Sequence, residues 1–285
     1  MSTPEIRKRL ADSLDAAAIH FRRAVLPLYT MDERGYPETV GTGVLFKIGS
    51  TPFLISAAHV LELSPKEIIY IGGELLTAMT GHLTHTKMSD GRRDLDRIDV
   101  SMCKLAPKTV EYLGAVQFLT IDDVDRNHVL DYDDPHPYMA FGFPISKQPR
   151  VKDAVQDAYP MLVGTRLAPI SAFKAEKLDA NHNFLFEFDL ENVETREGGG
   201  PAPSPHGISG GPMWDIGAFH RSGFAPKLVG IITERRGPQR QWLLVTSMDT
   251  VIEMLVRRYP ELLANLPSYS PHMENPRRVN LAGFP

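Results

Sequence analysis

The chemistry this chain could perform begins at Gly207-Ile208-Ser209-Gly210-Gly211-Pro212. Glycine costs backbone entropy in a helix or a strand, so this composition marks a sharp turn that something approaches closely. A serine at the tip of such a turn, with free backbone N–H groups around it, can supply a nucleophile and an oxyanion hole from one loop. A serine hydroxyl is a poor nucleophile at neutral pH. It needs a base within hydrogen-bond reach, and the base needs a group to orient it.

Ten histidines compete for the role of base. His59 stands out because it follows Phe53-Leu54-Ile55-Ser56-Ala57-Ala58, an apolar strand ending in small residues. Those neighbours leave room for an imidazole with a substrate beside it. The others fall in polar loops or, like His20, on a helical stretch. His82 and His85 are close together but have no third ligand nearby, so no zinc site or other metal site is expected. For the orienter, Asp99 precedes Val100-Ser101-Met102-Cys103-Lys104-Leu105, placing a carboxylate at the mouth of a mostly apolar strand. Asp94 and Asp96 lie among Arg92, Arg93 and Arg97 and read as a charged loop.

The elements that must position these residues are mostly strands. Short runs of Val, Ile, Leu and Phe are separated by Gly, Pro, Asp and Ser: 40–48, 52–57, 68–71, 81–86, 100–105, 138–141, 161–170, 184–189, 211–215, 227–233 and 242–246. Many short strands without βαβ alternation argue for an all-β barrel or sandwich. Residues 1–25 read as an amphipathic helix, with Ile6, Leu10, Leu14, Ala17, Ala18, Phe21 and Val25 on one stripe. A first β unit spans 26–121 and a second 138–246. Between them, 122–137 is crowded with aspartates and closed by Pro135 and Pro137, an exposed connection without the glycine and terminal glutamate of a calcium loop. Residues 247–285 supply a C-terminal helix and a polar, proline-rich tail. Ser247 caps that helix, Asp249 sits in its first turn, and Arg257 and Arg258 sit in its last.

Composition narrows the function classes. The chain has 285 residues, 42% hydrophobic and 23% charged, with a net charge of −4. Nothing in that balance calls for a nucleic-acid or membrane partner. One cysteine, Cys103, rules out an internal disulfide and suits a reducing compartment. The N-terminus lacks a secretory pattern, and no run reaches the ~20 apolar residues of a membrane span, so the expected location is cytoplasmic.

In the order His, Asp, Ser, each in its setting, the chain resembles the trypsin-like (chymotrypsin-fold) serine peptidases, whose triad is a well-understood device. Ser56-Ala57-Ala58-His59, Asp99-Val100-Ser101-Met102-Cys103-Lys104-Leu105 and Gly207-Ile208-Ser209-Gly210-Gly211-Pro212 resemble the family's three blocks. Gly41-Thr42-Gly43, Phe141-Gly142-Phe143-Pro144 and Leu228-Val229-Gly230-Ile231 support them, so the likeness runs from about Leu26 to Thr246. The resemblance implies two antiparallel six-stranded β-barrels with the triad in the cleft between them; the helices expected at both ends lie outside the likeness. It implies that His59 is the base, Asp99 its orienter and Ser209 the nucleophile. Gly207 and Ser209 N–H would form the oxyanion hole, and Ile232, Thr233, Glu234 and Arg235 would line the substrate cleft. It implies a protein or peptide substrate and no cofactor.

The chain departs from the family's pattern in three places. Ile208 stands where an aspartate usually receives a newly cut N-terminus, so activation by propeptide cleavage is not expected; the pattern is closer to the bacterial, intracellular or viral branch. No acid stands near Pro203, where basic specificity would be set. Arg235 replaces a glycine that pairs with substrate backbone, and would narrow the cleft or select acidic substrate residues. A rival reading is a trypsin-fold binding or scaffold module, latent until a partner engages the terminal helices or the 194–205 loop. An esterase on another fold would want Gly-x-Ser-x-Gly with the histidine last, and here the histidine comes first.

Overall fold

In this computed structural model the described residues are 8, 12, 19, 21–63, 67–87, 92–126, 128, 137–145, 158–188, 193–195, 198–200, 204–217, 225–237 and 241–266. Seven strands form the first sheet: β1 (Val25–Met31), β2 (Pro37–Ile48), β3 (Thr51–Ala57), β4 (Tyr70–Gly72), β5 (Leu76–Ala78), β6 (Gly81–His85) and β7 (Val100–Leu105). They lie antiparallel in the order β5-β4-β1-β2-β3-β7-β6. The two edge strands are consecutive in the chain and joined by Met79-Thr80 alone, so the sheet must curl to bring its edges together.

The second sheet contains β8 (Tyr138–Gly142), β9 (Met161–Thr165), β10 (Asn183–Glu187), β13 (Pro212–Asp215), β14 (Lys227–Arg236) and β15 (Trp242–Ser247) in the order β10-β15-β14-β13-β8-β9. Its edges also approach each other: Glu187 N donates to Arg166 O at 2.8 Å and Ala168 N to Leu185 O at 2.9 Å. A small separate hairpin pairs β11 (Val193–Thr195) with β12 (Gly198–Gly200) inside the stretch read as a loop. Two curled antiparallel sheets thus make the chymotrypsin-like double barrel, the first with a seventh, three-residue strand.

Side-chain alternation explains how the two sheets hold together. On β3, Leu54 points into the first barrel, while Phe53 and Ile55 join a second cluster outside it. On β8, Tyr138 and Ala140 fill the second barrel, while Met139 and Phe141 join that same outer cluster. Strands buried on both faces need apolar residues at every position, and the period of 2 sorts them between barrel interior and shared seam. Each fully buried side chain of this kind contributes roughly 1.5–3 kcal/mol, against about 1 kcal/mol for a typical hydrogen bond. The seam therefore supplies the association of the barrels, and the cross-barrel hydrogen bonds set their register.

Both ends of the chain feed the seam. The C-terminal helix α4 (Met248–Arg258) buries Met248, Val251, Ile252 and Leu255 against it. Ser247 caps this helix by accepting from Thr250 N at 3.2 Å, with Asp249 in the first turn and Arg257 and Arg258 in the last. At the other end, Lys8, Asp12, Ile19 and Phe21 are helical, and most of the 1–25 helix lies outside the described residues. Phe21 is buried and stacks on the fully buried Trp214, ring centroids 3.8 Å apart. The helix does not run to Val25; the chain turns over residues 22–24 and Val25 opens β1.

Strand β1 is the element the sequence hides. Pro27 lies inside it, and proline normally argues against an inner strand. Here β4 pairs only with Leu28 and Tyr29, so the missing N–H of Pro27 falls just beyond that ladder. A short helix, α2 (Pro107–Tyr112), follows β7, and the run read as one strand over 161–170 divides into β9 and a short helix, α3 (Ile170–Ala175), preceded by Pro169. In the connection, most of 127–137 lies outside the described residues. The described part is docked: Asp125 N donates to Leu228 O at 3.0 Å, and the buried His128 uses Nδ1 toward Asp125 (2.6 Å) and Nε2 toward Tyr138 Oη (2.9 Å). The tail from Pro267 and the Pro203 position also lie outside the described residues. No helix among the described residues is long and apolar enough to cross a membrane.

Candidate active site

His59 and Asp99 are brought together by the way β3 ends. After Ala57 the chain enters a four-residue helix, α1 (Ala58–Leu61), whose cap residue offers no side-chain acceptor. The first N–H groups of a helix have no partner within it. Asp99, the residue just before β7, supplies both acceptors: its carbonyl takes Ala58 N at 2.8 Å and its Oδ1 takes His59 N at 3.1 Å. Its other oxygen, Oδ2, lies 2.6 Å from His59 Nδ1. To do this Asp99 adopts φ of 42°, a left-handed backbone that aspartate tolerates better than most residues. The Asp99 side chain is 7% exposed and that of His59 43%, so the carboxylate is enclosed and the imidazole reaches the surface. With Nδ1–H donating to the carboxylate, Nε2 is the basic nitrogen.

The serine loop is pinned from both barrels. Thr42, fully buried on β2, donates its N–H to Ser209 O at 2.9 Å and its Oγ1 hydrogen to Gly207 O at 2.8 Å. The same Oγ1 accepts from Phe143 N at 3.0 Å, and Thr42 O accepts from Ser56 Oγ at 2.7 Å. From β14, Ile232 O takes Gly210 N at 2.7 Å. The glycines are required here. Gly210 has φ of 87°, and a Cβ on it would stand 2.1 Å from Ser56 Oγ and from Thr42 O. Gly207 has φ of 101°, and its Cβ would stand 2.6 Å from Phe143 O.

Two N–H groups of the loop are left over: neither Gly207 N nor Ser209 N donates to another described residue. The peptide carrying the first is fixed, because His206 O accepts from Ile145 N at 2.6 Å. A trans peptide sets N–H and C=O in opposite directions, so the Gly207 N–H points away from Ile145. Ile208, where an aspartate was expected by resemblance, is buried among the apolar side chains of the second barrel. Gly142 lets it approach, since a Cβ there would meet Ile208 Cα at 2.9 Å.

A cleft of about 500 Å³ joins these parts, lined by Val40 and His59 from the first barrel and by Gly207, Ser209 and the residues 232–237 from the second. Ser209 Oγ has no described hydrogen bond; the described bonds of His59 run to Asp99. Such bonds are often long in an unliganded site and tighten when a substrate is bound. Of the four residues expected to line the cleft, Ile232 and Thr233 are buried, and a β-bulge between Ile232 and Glu234 re-aims the strand there. The Arg235 guanidinium lies 5.6 Å from the centre of the Phe188 ring. Glu234 pairs with Arg236; burial pushes its carboxyl pKa up, opposed by Arg236 and reinforced by Asp99. Sequence reasoning missed Thr42, Ile145 and Arg93 as parts of the site. Only Thr42 carried a signal, between Gly41 and Gly43.

An imidazole pinned by a carboxylate, a hydroxyl on a glycine turn and two spare N–H donors around one cleft form an arrangement suited to acyl transfer. The chain has the trypsin-like serine protease fold. Among solved structures it is similar to the serine endoprotease from Yersinia pestis, at 13% identity and a TM-score of 0.50, over 88% of this chain and 67% of that one. It is also similar to the Rv3671c protease in its inactive form, at 11% identity and 0.47, over 87% and 94% of the two chains. An alanine mutant of Rv3671c from M. tuberculosis, likewise inactive, aligns at 10% identity and 0.49, over 91% and 95%. No family model matches the chain, and no curated protein matches it.

Proposed function

We propose that the protein is a serine endopeptidase that hydrolyses peptide bonds through an acyl-enzyme. The observation that carries the reading is the His59–Asp99 pair opening on the same cleft as Ser209, beside two unpaired N–H groups. Ser209 Oγ attacks the substrate carbonyl carbon, its proton passes to His59 Nε2, and the carbonyl electron pair moves onto oxygen. Gly207 N–H and Ser209 N–H stabilise that oxyanion. Collapse of the tetrahedral centre breaks the C–N bond, and the leaving amine takes the proton from His59. Water then repeats the sequence on the ester, with His59 again as base. Asp99 holds the tautomer and stabilises the imidazolium. The buried, unpaired Cys103 gives the fold no need of an oxidising compartment, and the proposal extends to a cytoplasmic enzyme.

Purified protein should label with a fluorophosphonate probe and cleave an unstructured protein substrate. Ser209→Ala should abolish labelling, and Ser209→Ala or His59→Ala should lower turnover by up to roughly a millionfold, since triad members act as a unit. Near-normal turnover in His59→Ala would sink the assignment of the base. The missing Ser209–His59 hydrogen bond favours a second reading, a latent module activated by a partner. Labelling in the isolated protein decides against that reading; silence from a folded protein decides for it.

A further inference from the structure

We infer that Arg93 is a positioning residue for the His59–Asp99 pair: its guanidinium locks the turn carrying the imidazole onto the loop carrying the carboxylate and holds a balancing positive charge beside both. This rests on the role given to His59 and Asp99 above.

The guanidinium has five N–H donors, and each has an acceptor. Nε donates to Glu62 Oε2 at 3.0 Å and Nη2 to Glu62 Oε1, a two-point fork. Nη2 also donates to Thr86 O at 3.2 Å. Nη1 donates to Thr86 Oγ1 at 3.0 Å and to Asp96 Oδ2. Beyond these bonds, Nε lies 3.8 Å from Asp99 Oδ1, the oxygen that receives His59 N. Glu62 is the C-terminal cap of α1, three residues past His59, and its own N–H closes that turn on Ala58 O at 2.9 Å. Asp96 braces the same loop by accepting Ile98 N at 2.9 Å on its other oxygen. One side chain, 14% exposed, therefore ties together the histidine turn, the aspartate loop and the end of β6.

The charge count makes the arrangement more than a brace. Three carboxylates, Glu62, Asp96 and Asp99, crowd one cation. Without Arg93 they would sit unbalanced around the histidine turn and favour a proton on the imidazole. The other charged groups nearby do not replace it. His85 on β6 bonds to Ser101 Oγ at 2.7 Å, and burial lowers its pKa against the opposing pull of Glu62. On the β14 side Glu234 interacts with Asp99, with Arg236 and Arg97 countering Glu234. Burial opposes the Arg93 charge, yet Glu62, Asp96 and Asp99 more than compensate and hold it in place.

The test reads the proton on His59 directly. In protein carrying ¹³C-labelled histidine, the ring signal of His59, identified by its loss in His59→Ala, is followed against pH by NMR. Arg93→Gln should move its titration midpoint up by roughly half to one pH unit, and Glu62→Gln should move it down by a similar amount. Arg93→Lys, which keeps the charge and loses the fork, should stay near the wild-type midpoint while turnover falls. A purely structural role would produce no pair of opposite shifts. Unchanged midpoints, or shifts of the same sign in Arg93→Gln and Glu62→Gln, would overturn the inference. Should Arg93→Gln not fold, Glu62→Gln against Arg93→Lys still gives the sign. Opposite shifts in a protein that cleaves no peptide would retire the proposed function and leave the electrostatic coupling standing.

Discussion

Asp99 does three jobs with one residue, and each constrains the others. Its carbonyl and Oδ1 close the start of α1, its Oδ2 takes the imidazole, and its backbone is left-handed to permit both. Asparagine accepts that backbone and keeps one oxygen, so Asp99→Asn should fold. It cannot stabilise an imidazolium, and it presents the wrong hydrogen-bonding group to Nδ1. Turnover should drop by about 10⁴ at pH 7. A loss below tenfold in a hydrolysis assay would show that Asp99 only builds the turn.

Two other buried groups should weaken the fold at alkaline pH. Burial pushes the Cys103 thiol up to about 11 and the Tyr29 phenol up to about 12. Both folded values exceed the ordinary ones, 9.0 and 10.0. The unfolded chain therefore loses these protons first. Their contribution is complete below about pH 9 and disappears as pH rises through 11 to 12, by on the order of 2–3 kcal/mol for the thiol. Urea midpoints measured from pH 7.5 to 11 should fall steeply for the wild type and less for Cys103→Ala. Parallel curves for the two proteins would exclude the thiol as a cause.

Among the elements, the N-terminal helix has a measurable attachment. Phe21 is its buried anchor, stacked on Trp214, which lies on β13 five residues beyond Ser209. Phe21→Ala should cost about 3–5 kcal/mol and shift tryptophan emission, while Phe21→Leu recovers much of the loss. An unchanged denaturation midpoint would mean that the helix is not held by this contact. The C-terminal helix was legible down to its cap, because capping and charge placement are local. Most strands were legible too, since apolar runs and breakers are local signals. Strand β1 was not, because only its neighbour in space, β4, shows where Pro27 escapes the ladder. The three residues proposed to react, His59, Asp99 and Ser209, were singled out from their local settings. Thr42 lies 165 residues from Gly207 in the chain, and Arg93 lies 31 from Glu62, so no local pattern could pair them. Arg93 read as part of a charged loop; its side chain is half-buried, at the centre of an ion-pair network with Glu62, Asp96 and Asp99.

At the scale of the whole molecule, the barrels share a seam that neither could fill alone. Its last contributors, Leu262 and Leu266, lie beyond the C-terminal helix. The order of the parts along the chain then acquires a meaning in time. The ribosome adds roughly 5–20 residues per second, so His59 is made roughly 8–30 s before Ser209. Through that interval the growing chain holds the proposed base without the proposed nucleophile. Even with Ser209 made, the seam waits for α4. A nascent chain arrested at Ser247 should not react with a fluorophosphonate, whereas one extended by a linker beyond Leu266 should. Labelling of the shorter chain would show that the barrels dock without their closing helix. On this reading the hydrolytic capacity proposed for the protein stays absent until the segment through Leu266 has been made and has closed the seam.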